Sequence, residues 1–162
     1  NSLNDEEVWD LYGYIETVLK DRKLIRSGNP VGDRGEFLAI NIYSKIAGLP
    51  NLQLAPEGTQ NVDALSRKGE RYSIKTITYP SSTTGVFYGV GNIGDQELPV
   101  KKFEYVIIVQ INKNYTPKKI LELTWEHFLK FRRWHKTMRA WNLSITKNLI
   151  KEAKIIFDSD KK

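Results

Sequence analysis

The sequence predicts an α/β domain in which helices flank a mixed central β-sheet. Two helical patterns open the chain, several strand patterns occupy its middle, and further helical patterns follow before its end. The 162 residues suit one domain with a sizeable core, and contents of 40% hydrophobic and 27% charged residues are ordinary for a globular protein. We therefore expect a single domain over residues 1–162.

The first element is an amphipathic helix that begins after a cap at Asn4 or Asp5. Its apolar residues recur at helical spacing; they are Val8, Leu11, Tyr12, Ile15, Val18 and Leu19. We expect this helix, within residues 1–29, to pack against the domain and to take no part in chemistry.

The second helix is predicted from Pro30 to about Ala47, because proline favours the first position of a helix and Gly48 can end it. Glu36 alone interrupts its apolar face. Two interpretations of this glutamate remain open. Either it points toward the element on which the helix packs, or it closes a capping box with Asp33.

A β-hairpin is predicted at the centre of the chain. Tyr72–Thr78 is rich in β-branched and aromatic residues, and Val62–Leu65 is its shorter partner. The residues Arg67, Lys68 and Gly69 between them fit a three-residue loop with glycine in the left-handed conformation.

This loop sets the register of the hairpin. If Ser66 and Glu70 flank it, Asp63 lies opposite Ser73. Because side chains alternate along a strand, Lys75 then lies on the same face as Ser73. A carboxylate, a hydroxyl and an amine would converge there, whereas a two-residue turn would scatter them.

The rest of the sheet is predicted from three further segments. Residues 104–111 form the strongest strand pattern, and their continuously apolar centre is typical of a strand covered on both faces. Residues 119–123 are an antiparallel partner, and residues 86–88 are another strand of the sheet. A short strand is also predicted at Leu52–Leu54.

Helices are predicted for the remainder of the chain. Thr124 caps a helix that runs from Trp125 to about Trp134, and a second, short helix ends near Lys151. Residues 155–157 either extend that helix or form an edge strand.

The positive charge is concentrated in the C-terminal third. The net charge is +6, but residues 127–154 hold eight basic residues against Glu152 alone. Such an asymmetry favours a polyanionic partner, and the alternative is a solvated helical surface.

Several classes of function lack the residues they need. The chain has no cysteine and only two histidines, His127 and His135, so thiolate chemistry and histidine-based metal sites or triads have little support. Neither a GxxxxGK[ST] nor a GxGxxG loop occurs. No run of about 18 apolar residues predicts a membrane span, and the acidic, polar start does not resemble a secretion signal, so we expect a cytoplasmic protein.

A set formed by Glu36, Asp63 and Lys75 remains. Carboxylates from a helix and a strand edge bind a hard cation such as Mg²⁺, and the backbone carbonyl of Ile74 can complete the metal shell. The ion polarises a phosphodiester and activates water, while a neighbouring lysine orients that water or stabilises the transition state.

Asp63, the run Ser73-Ile74-Lys75 and a preceding helix with Gly35-Glu36 together resemble the PD-(D/E)XK nuclease superfamily. The resemblance covers roughly residues 30–125. It implies a restriction-endonuclease-like fold and a catalytic core that cleaves DNA with Mg²⁺, for which Mn²⁺ can substitute. Residues 1–29 would be a packing helix before this core, and residues 126–162 would be basic C-terminal helices.

The resemblance assigns catalytic roles to Glu36, Asp63, Ser73 and Lys75, with Asp63, Glu36 and Ile74 as metal ligands. Two positions depart from the motif. Val62 stands where the motif has proline, and Ser73 replaces its second acid. Because serine is a weaker ligand, metal affinity would depend more on Glu36, or on Glu57 in the preceding loop.

Two segments are candidates for DNA contact. Basic side chains that can neutralise phosphates follow the core; they are Lys130, Arg132, Arg133, Lys136 and Arg139. The polar loop after the catalytic strand offers Ser81, Ser82 and Thr83. Trp134 and Trp141 either stack on bases or are half-buried, and we favour burial.

The sequence therefore predicts a Mg²⁺-dependent DNA endonuclease of the type II restriction class, which acts as a homodimer because two DNA strands require two active sites. The alternative is a non-catalytic DNA-binding module that retains a degenerate nuclease fold. A third possibility is a structural or partner-binding domain, with routine surface charges on an exposed hairpin.

Overall fold

The computed structural model describes residues 2–161 as an α/β domain with a six-stranded mixed sheet. The helices are α1 (Asp5–Asp21), α2 (Pro30–Lys45), α3 (Trp125–Phe131) and α4 (Lys147–Glu152). The strands are β1 (Leu52–Leu54), β2 (Ala64–Ser66), β3 (Arg71–Thr78), β4 (Tyr105–Ile111), β5 (Pro117–Thr124), β6 (Arg133–His135), β7 (Ala140–Asn142) and β8 (Lys154–Asp158).

The main sheet has the strand order β1-β2-β3-β4-β5-β8. Strands β3 and β4 are parallel and every other neighbouring pair is antiparallel. Residues 106–111 of the central strand β4 are all buried, which confirms the prediction of a strand covered on both faces.

Two hydrophobic cores cover the two faces of this sheet. On one face, α2 packs with Leu38, Ala39 and Tyr43 against the sheet. On the other face, α3, α4 and the segment around Phe87 pack against β4 and β5, with Phe128 at the centre. The α2 side is the one that positions a candidate site.

A glycine brings α2 unusually close to β3. A Cβ atom at Gly35 would lie 1.7 Å from Oγ1 of Thr76, so no other residue fits there without displacing the helix or the strand. The close approach also buries Oγ1 of Thr76 without a hydrogen-bond partner among the described residues. The helix therefore lies directly on β3, and the residue after Gly35 is held near the end of the hairpin.

The prediction that the first helix packs on the domain is wrong. Its cap at Asn4 is confirmed, because Asn4 and Glu7 form a capping box. No residue of α1 is buried, however, and the exposed fraction of the Trp9 side chain is 68%. Helical periodicity reports an apolar face, but it does not report what covers that face.

The basic C-terminal segment, predicted as helices over residues 126–162, instead contains both helices and strands. Helix α3 ends at Phe131, and β6 and β7 form a hairpin in which Trp134 pairs with Trp141 at a centroid distance of 5.0 Å. This cross-strand aromatic pair stabilises a ribbon where the local sequence suited a helix. Residues 155–157 lie in the edge strand β8, one of the two predicted alternatives.

Residues 86–88 do not join the main sheet, contrary to the prediction. Phe87 forms only an isolated bridge with Trp141 of β7, and its ring is buried among Phe103 and Phe128. Hydrophobic burial of this one ring, rather than strand pairing, explains the apolar pattern. No helix among the described residues has the length and apolar character needed to cross a membrane.

Candidate active site

The hairpin of β2 and β3 has the predicted register. Ala64 pairs with Tyr72, and the amide of Ser66 donates a 3.0 Å hydrogen bond to the carbonyl of Glu70. Gly69 has a φ of 81°, which is the left-handed conformation expected of the loop glycine. Asp63 is the residue immediately before β2, and continuing the same register places it opposite Ser73.

Asp63 is held by the strand opposite it. Its Oδ2 accepts a 2.6 Å hydrogen bond from the backbone amide of Ile74 and a longer, 3.4 Å bond from the hydroxyl of Ser73. Because the N–H and C=O of a strand residue point to the same side, the carbonyl of Ile74 faces the same edge as its amide. Both hydrogen bonds use Oδ2. Among the described residues, Oδ1 of Asp63 has no hydrogen-bond donor, so it is the oxygen that can coordinate a cation.

Lys75 lies on the same face as Ser73, as side-chain alternation requires. Its Nζ is 4.8 Å from the centroid of the Phe87 ring, and no carboxylate of the described residues lies within 4.0 Å of it. Burial lowers the pKa of Lys75, while the charges of Asp63 and Glu36 act in the opposite direction. The amine of Lys75 therefore loses its proton more readily than that of an exposed lysine.

Glu36 faces the hairpin from α2, and its interpretation as part of a capping box is wrong. The helix is capped by Asn29, whose side chain accepts from the amide of Gly32. Asp33 accepts backbone N–H groups of Arg26 and Ser27 at 2.8 and 2.9 Å. The side chain of Glu36 is therefore not needed to start the helix.

Arg26 is a member of the site that the sequence did not indicate. Its guanidinium donates a 2.7 Å hydrogen bond to Oε2 of Glu36, and both side chains are largely shielded from solvent. The turn between α1 and α2 brings Arg26 back toward the hairpin, with Asp33 holding the backbone of that turn. No local pattern in the sequence encodes a pairing that depends on this turn.

The carboxyl groups of Asp63 and Glu36 have perturbed acidities. Burial raises the pKa of Asp63, against the hydrogen bond from Ile74 and the charge of Lys75. Burial also raises the pKa of Glu36, against its hydrogen bond with Arg26, and the charge of Asp63 raises it further. The raised pKa values mean that the negative charges of the two carboxyl groups are poorly stabilised in the cleft. A cation bound there would stabilise both charges.

Asp63, Glu36, Arg26 and Asp33 line one cleft with a volume of about 350 Å³, and Glu57 also lines it. Ser73, Ile74 and Lys75 are not among its lining residues. Within residues 2–161, no three His, Asp or Glu side chains come close enough to form a metal site by themselves. The donor set still fits Mg²⁺, which commonly takes one or two carboxylates and completes its shell with water and substrate phosphate.

Both histidines have structural roles. His127 and Thr124 form the capping box of α3, and Nδ1 of His135 accepts a hydrogen bond from the amide of Met138 in the β6–β7 loop.

The predicted DNA-contact residues divide into two groups. Lys130 binds Glu152 at 2.6 Å, and Arg132 donates to the carbonyl of Val90 while its guanidinium lies 4.2 Å from the centroid of the Trp141 ring. These two residues are engaged within the domain. The remaining basic residues of the set are exposed on the β6–β7 hairpin; they are Arg133, Lys136 and Arg139.

The polar loop after β3 lies beside this hairpin. The amide of Ile145 donates to the carbonyl of Ser82, and the hydroxyl of Thr83 lies 3.1 Å from that of Ser144, which also accepts from Arg133. Ser81, Ser82 and Thr83 are exposed. The two segments predicted separately for DNA contact thus form one continuous surface, while Trp134 and Trp141 are half-buried, as expected.

The sequence matches no model of a known protein family, and no curated protein matches it.

Proposed function

We propose that this protein is a Mg²⁺-dependent DNA endonuclease with a restriction-endonuclease-like fold and a PD-(D/E)XK-type site. One observation carries the proposal. Asp63 is hydrogen-bonded to Ser73 and Ile74 at the end of the hairpin, Glu36 of α2 lines the same cleft as Asp63, and the charges of both carboxyl groups act on Lys75. The parallel pairing of β3 with the buried strand β4 supports the same fold.

In this mechanism, Asp63 through Oδ1, Glu36 and the carbonyl of Ile74 would hold the cation. The chemistry that Mg²⁺ would supply there is charge to polarise the phosphodiester and to lower the pKa of an attacking water. Arg26 must release Glu36 for this to happen, because its guanidinium occupies the carboxylate that the cation needs. Ser73 and the amide of Ile74 keep Asp63 in place by their bonds to Oδ2.

Lys75 acts on the water. Its lowered pKa leaves a larger neutral fraction than in an exposed lysine, so its amine can accept a proton or hold the attacking oxygen by a hydrogen bond. The Phe87 ring beneath Nζ limits where the amine can move. The side chain is therefore positioned on the face where Asp63 and Ser73 meet.

Binding of duplex DNA is assigned to the surface formed by the β6–β7 hairpin and the loop after β3. A two-stranded β-ribbon fits into the major groove, and exposed Arg133, Lys136 and Arg139 can neutralise phosphates beside it. The loop follows the strand that carries Lys75, and it contacts the residues after β7 through the hydrogen bonds of Ser82 with Ile145 and of Thr83 with Ser144. A bound duplex would thus be positioned relative to the cleft.

A second candidate function is a DNA-binding module without catalysis. Two observations favour it: a hydroxyl, Ser73, replaces the second carboxylate, and Arg26 neutralises Glu36. The surface assigned to DNA does not depend on either feature, so binding would survive the loss of cleavage.

The two functions are separated by measuring cleavage and binding in parallel. We expect the wild-type protein to nick supercoiled plasmid DNA with Mg²⁺ or Mn²⁺ and to be inactive with a chelator. Asp63→Ala and Lys75→Ala should abolish nicking while retaining DNA binding. Lys68→Ala, which changes an exposed lysine in the loop of the same hairpin, is the matched control and should remain active. DNA binding without metal-dependent nicking would support the binding module instead.

A further inference from the structure

A group of exposed apolar side chains lies on α1. No residue of this helix is buried, and the side chains of Leu11, Tyr12 and Ile15 have exposed fractions of 47%, 59% and 47%. By contrast, α2 buries Leu38, Ala39 and Tyr43. A continuous apolar helix face that the domain leaves uncovered marks an interaction surface.

The spacing on this face indicates what covers it. Val8, Leu11, Ile15 and Val18 alternate steps of three and four residues, which is the seam of a two-helix coiled coil. Tyr12 and Leu19 widen this seam on one side, and the exposed side chains of Trp9 and Tyr14 flank it. A facing helix is a partner that fits this spacing.

The charges of α1 are complementary to those of a second copy of the helix that runs in the opposite direction. Its N-terminal part carries only acids, namely Asp5, Glu6, Glu7 and Asp10. Its C-terminal end and the residues that follow are mainly basic, namely Lys20, Arg22 and Lys23, with Asp21 between them. A parallel pair would place the acidic ends together, whereas an antiparallel pair places each beside a basic end and also aligns the helix dipoles favourably.

We propose that α1 is an interface between two copies of this chain, which pair as antiparallel helices about a two-fold axis. With a two-fold axis, the same apolar face of α1 forms both sides of the interface. In the layers of this pair, Val8 faces Val18 of the second copy and Leu11 faces its Ile15. The interface lies outside the cleft, so the proposal does not depend on nuclease activity.

Molar mass in solution, measured by light scattering or sedimentation, tests the interface. We expect the wild-type chain to have twice the monomer mass and the double variant Leu11→Glu/Ile15→Glu to have the monomer mass. Thr17→Glu adds a charge to the polar side of the same helix and should leave the dimer intact. Because α1 contributes nothing buried to the domain, the double variant should keep the wild-type melting temperature of the domain. A monomeric wild-type protein, or a dimer that persists in the double variant, overturns the proposal.

Disulfide cross-linking tests the orientation, since the chain contains no cysteine. A mixture of the Val8→Cys and Val18→Cys variants should form a disulfide-linked dimer on oxidation. Neither variant alone should do so, because in the antiparallel pair each cysteine lies far from the identical cysteine of the second copy. Efficient cross-linking of the single variants with themselves would show a parallel pair and contradict the proposed arrangement.

Discussion

At the scale of single residues, the pairing of Arg26 with Glu36 is the feature that bears most on the proposed metal site. The guanidinium and the carboxylate are 2.7 Å apart, so a cation at the proposed site would compete with an existing ion pair. The guanidinium also offsets part of the charge of the two carboxyl groups that line the cleft.

We predict that Arg26→Ala increases the affinity for Mn²⁺. Removing a competing, partly exposed ion pair worth about 1 kcal/mol should tighten binding by about fivefold. Calorimetric titration of the metal measures this, with Arg22→Ala as a control because Arg22 lies in the same turn and is exposed. Weaker metal binding by the Arg26 variant would indicate that the arginine supports the site and does not block it.

A second prediction at this scale concerns the acidity of Asp63. Burial raises its pKa in the folded protein above the unfolded value, so the folded state binds the proton more tightly. Stability is then greatest below the unfolded pKa and is lost as the pH rises through the folded pKa. In the metal-free protein, Asp63→Asn should therefore be more stable than wild type near neutral pH.

This difference should close as the pH falls, because the wild-type carboxyl group becomes protonated and also neutral. Chemical denaturation of both proteins across the acidic range measures it. A gap that widens in acid would mean that the pKa of Asp63 is lowered and that the cleft already favours its charge.

At the scale of elements, the contact between α2 and β3 places Glu36 in the cleft. Gly35 allows the helix to lie directly on Thr76, and Glu36 is the next residue along the helix. The site therefore depends on a packing distance as well as on its own polar residues.

We predict that Gly35→Ala destabilises the protein by about 1–3 kcal/mol, the usual cost of overpacking a close contact. It should also reduce metal affinity, since the helix must move away from β3. Gly13→Ala in α1 is the matched control, because no atom lies within 4 Å of a Cβ there and the helix gains about 1 kcal/mol of intrinsic propensity. A Gly35 variant as stable as wild type would show that the contact can relax freely.

The hairpin is the element that the sequence predicts best. Its strands, its three-residue loop and the position of Asp63 beside Ser73 all follow from local rules on turn length and side-chain alternation. The roles of Ser73 and Lys75 in chemistry remain predictions, but their shared face is confirmed by the structure.

Elements that depend on distant contacts were less predictable. The segment around Trp134 suits a helix locally, but pairing with Trp141 converts it into a β-ribbon. Likewise, the pairing of Arg26 with Glu36 requires the turn between two helices, and periodicity in α1 cannot distinguish a face that packs internally from one that remains exposed.

At the scale of the whole molecule, the β6–β7 hairpin presents a group of exposed basic side chains. Arg133, Lys136 and Arg139 are exposed there, whereas Lys130 is paired with Glu152. This arrangement gives a specific expectation for how salt weakens DNA binding.

We predict that Arg133→Ala/Lys136→Ala weakens DNA binding and reduces the dependence of log K on log salt by about 2, close to one unit per lost phosphate contact. Lys130→Ala also removes a positive charge, but the side chain of Lys130 is already paired with Glu152. This variant should therefore change the salt dependence of log K much less. Fluorescence anisotropy over a range of salt concentrations measures both. Equal slopes for wild type and the double variant would remove the hairpin from the DNA interface.

The central claim is that the convergence of Asp63, Glu36 and Lys75 is a metal-dependent catalytic site. The most direct measurement is the single-turnover rate of cleavage of a labelled duplex as a function of Mg²⁺ concentration, for wild type and for the isosteric variant Asp63→Asn. We predict a wild-type rate that rises with Mg²⁺ to saturation and a rate for Asp63→Asn at least about 10-fold lower, because even the loss of an outer-shell partner of a metal ligand costs about 10–100-fold. A wild-type rate that does not depend on Mg²⁺, or a variant as active as wild type, would contradict the account.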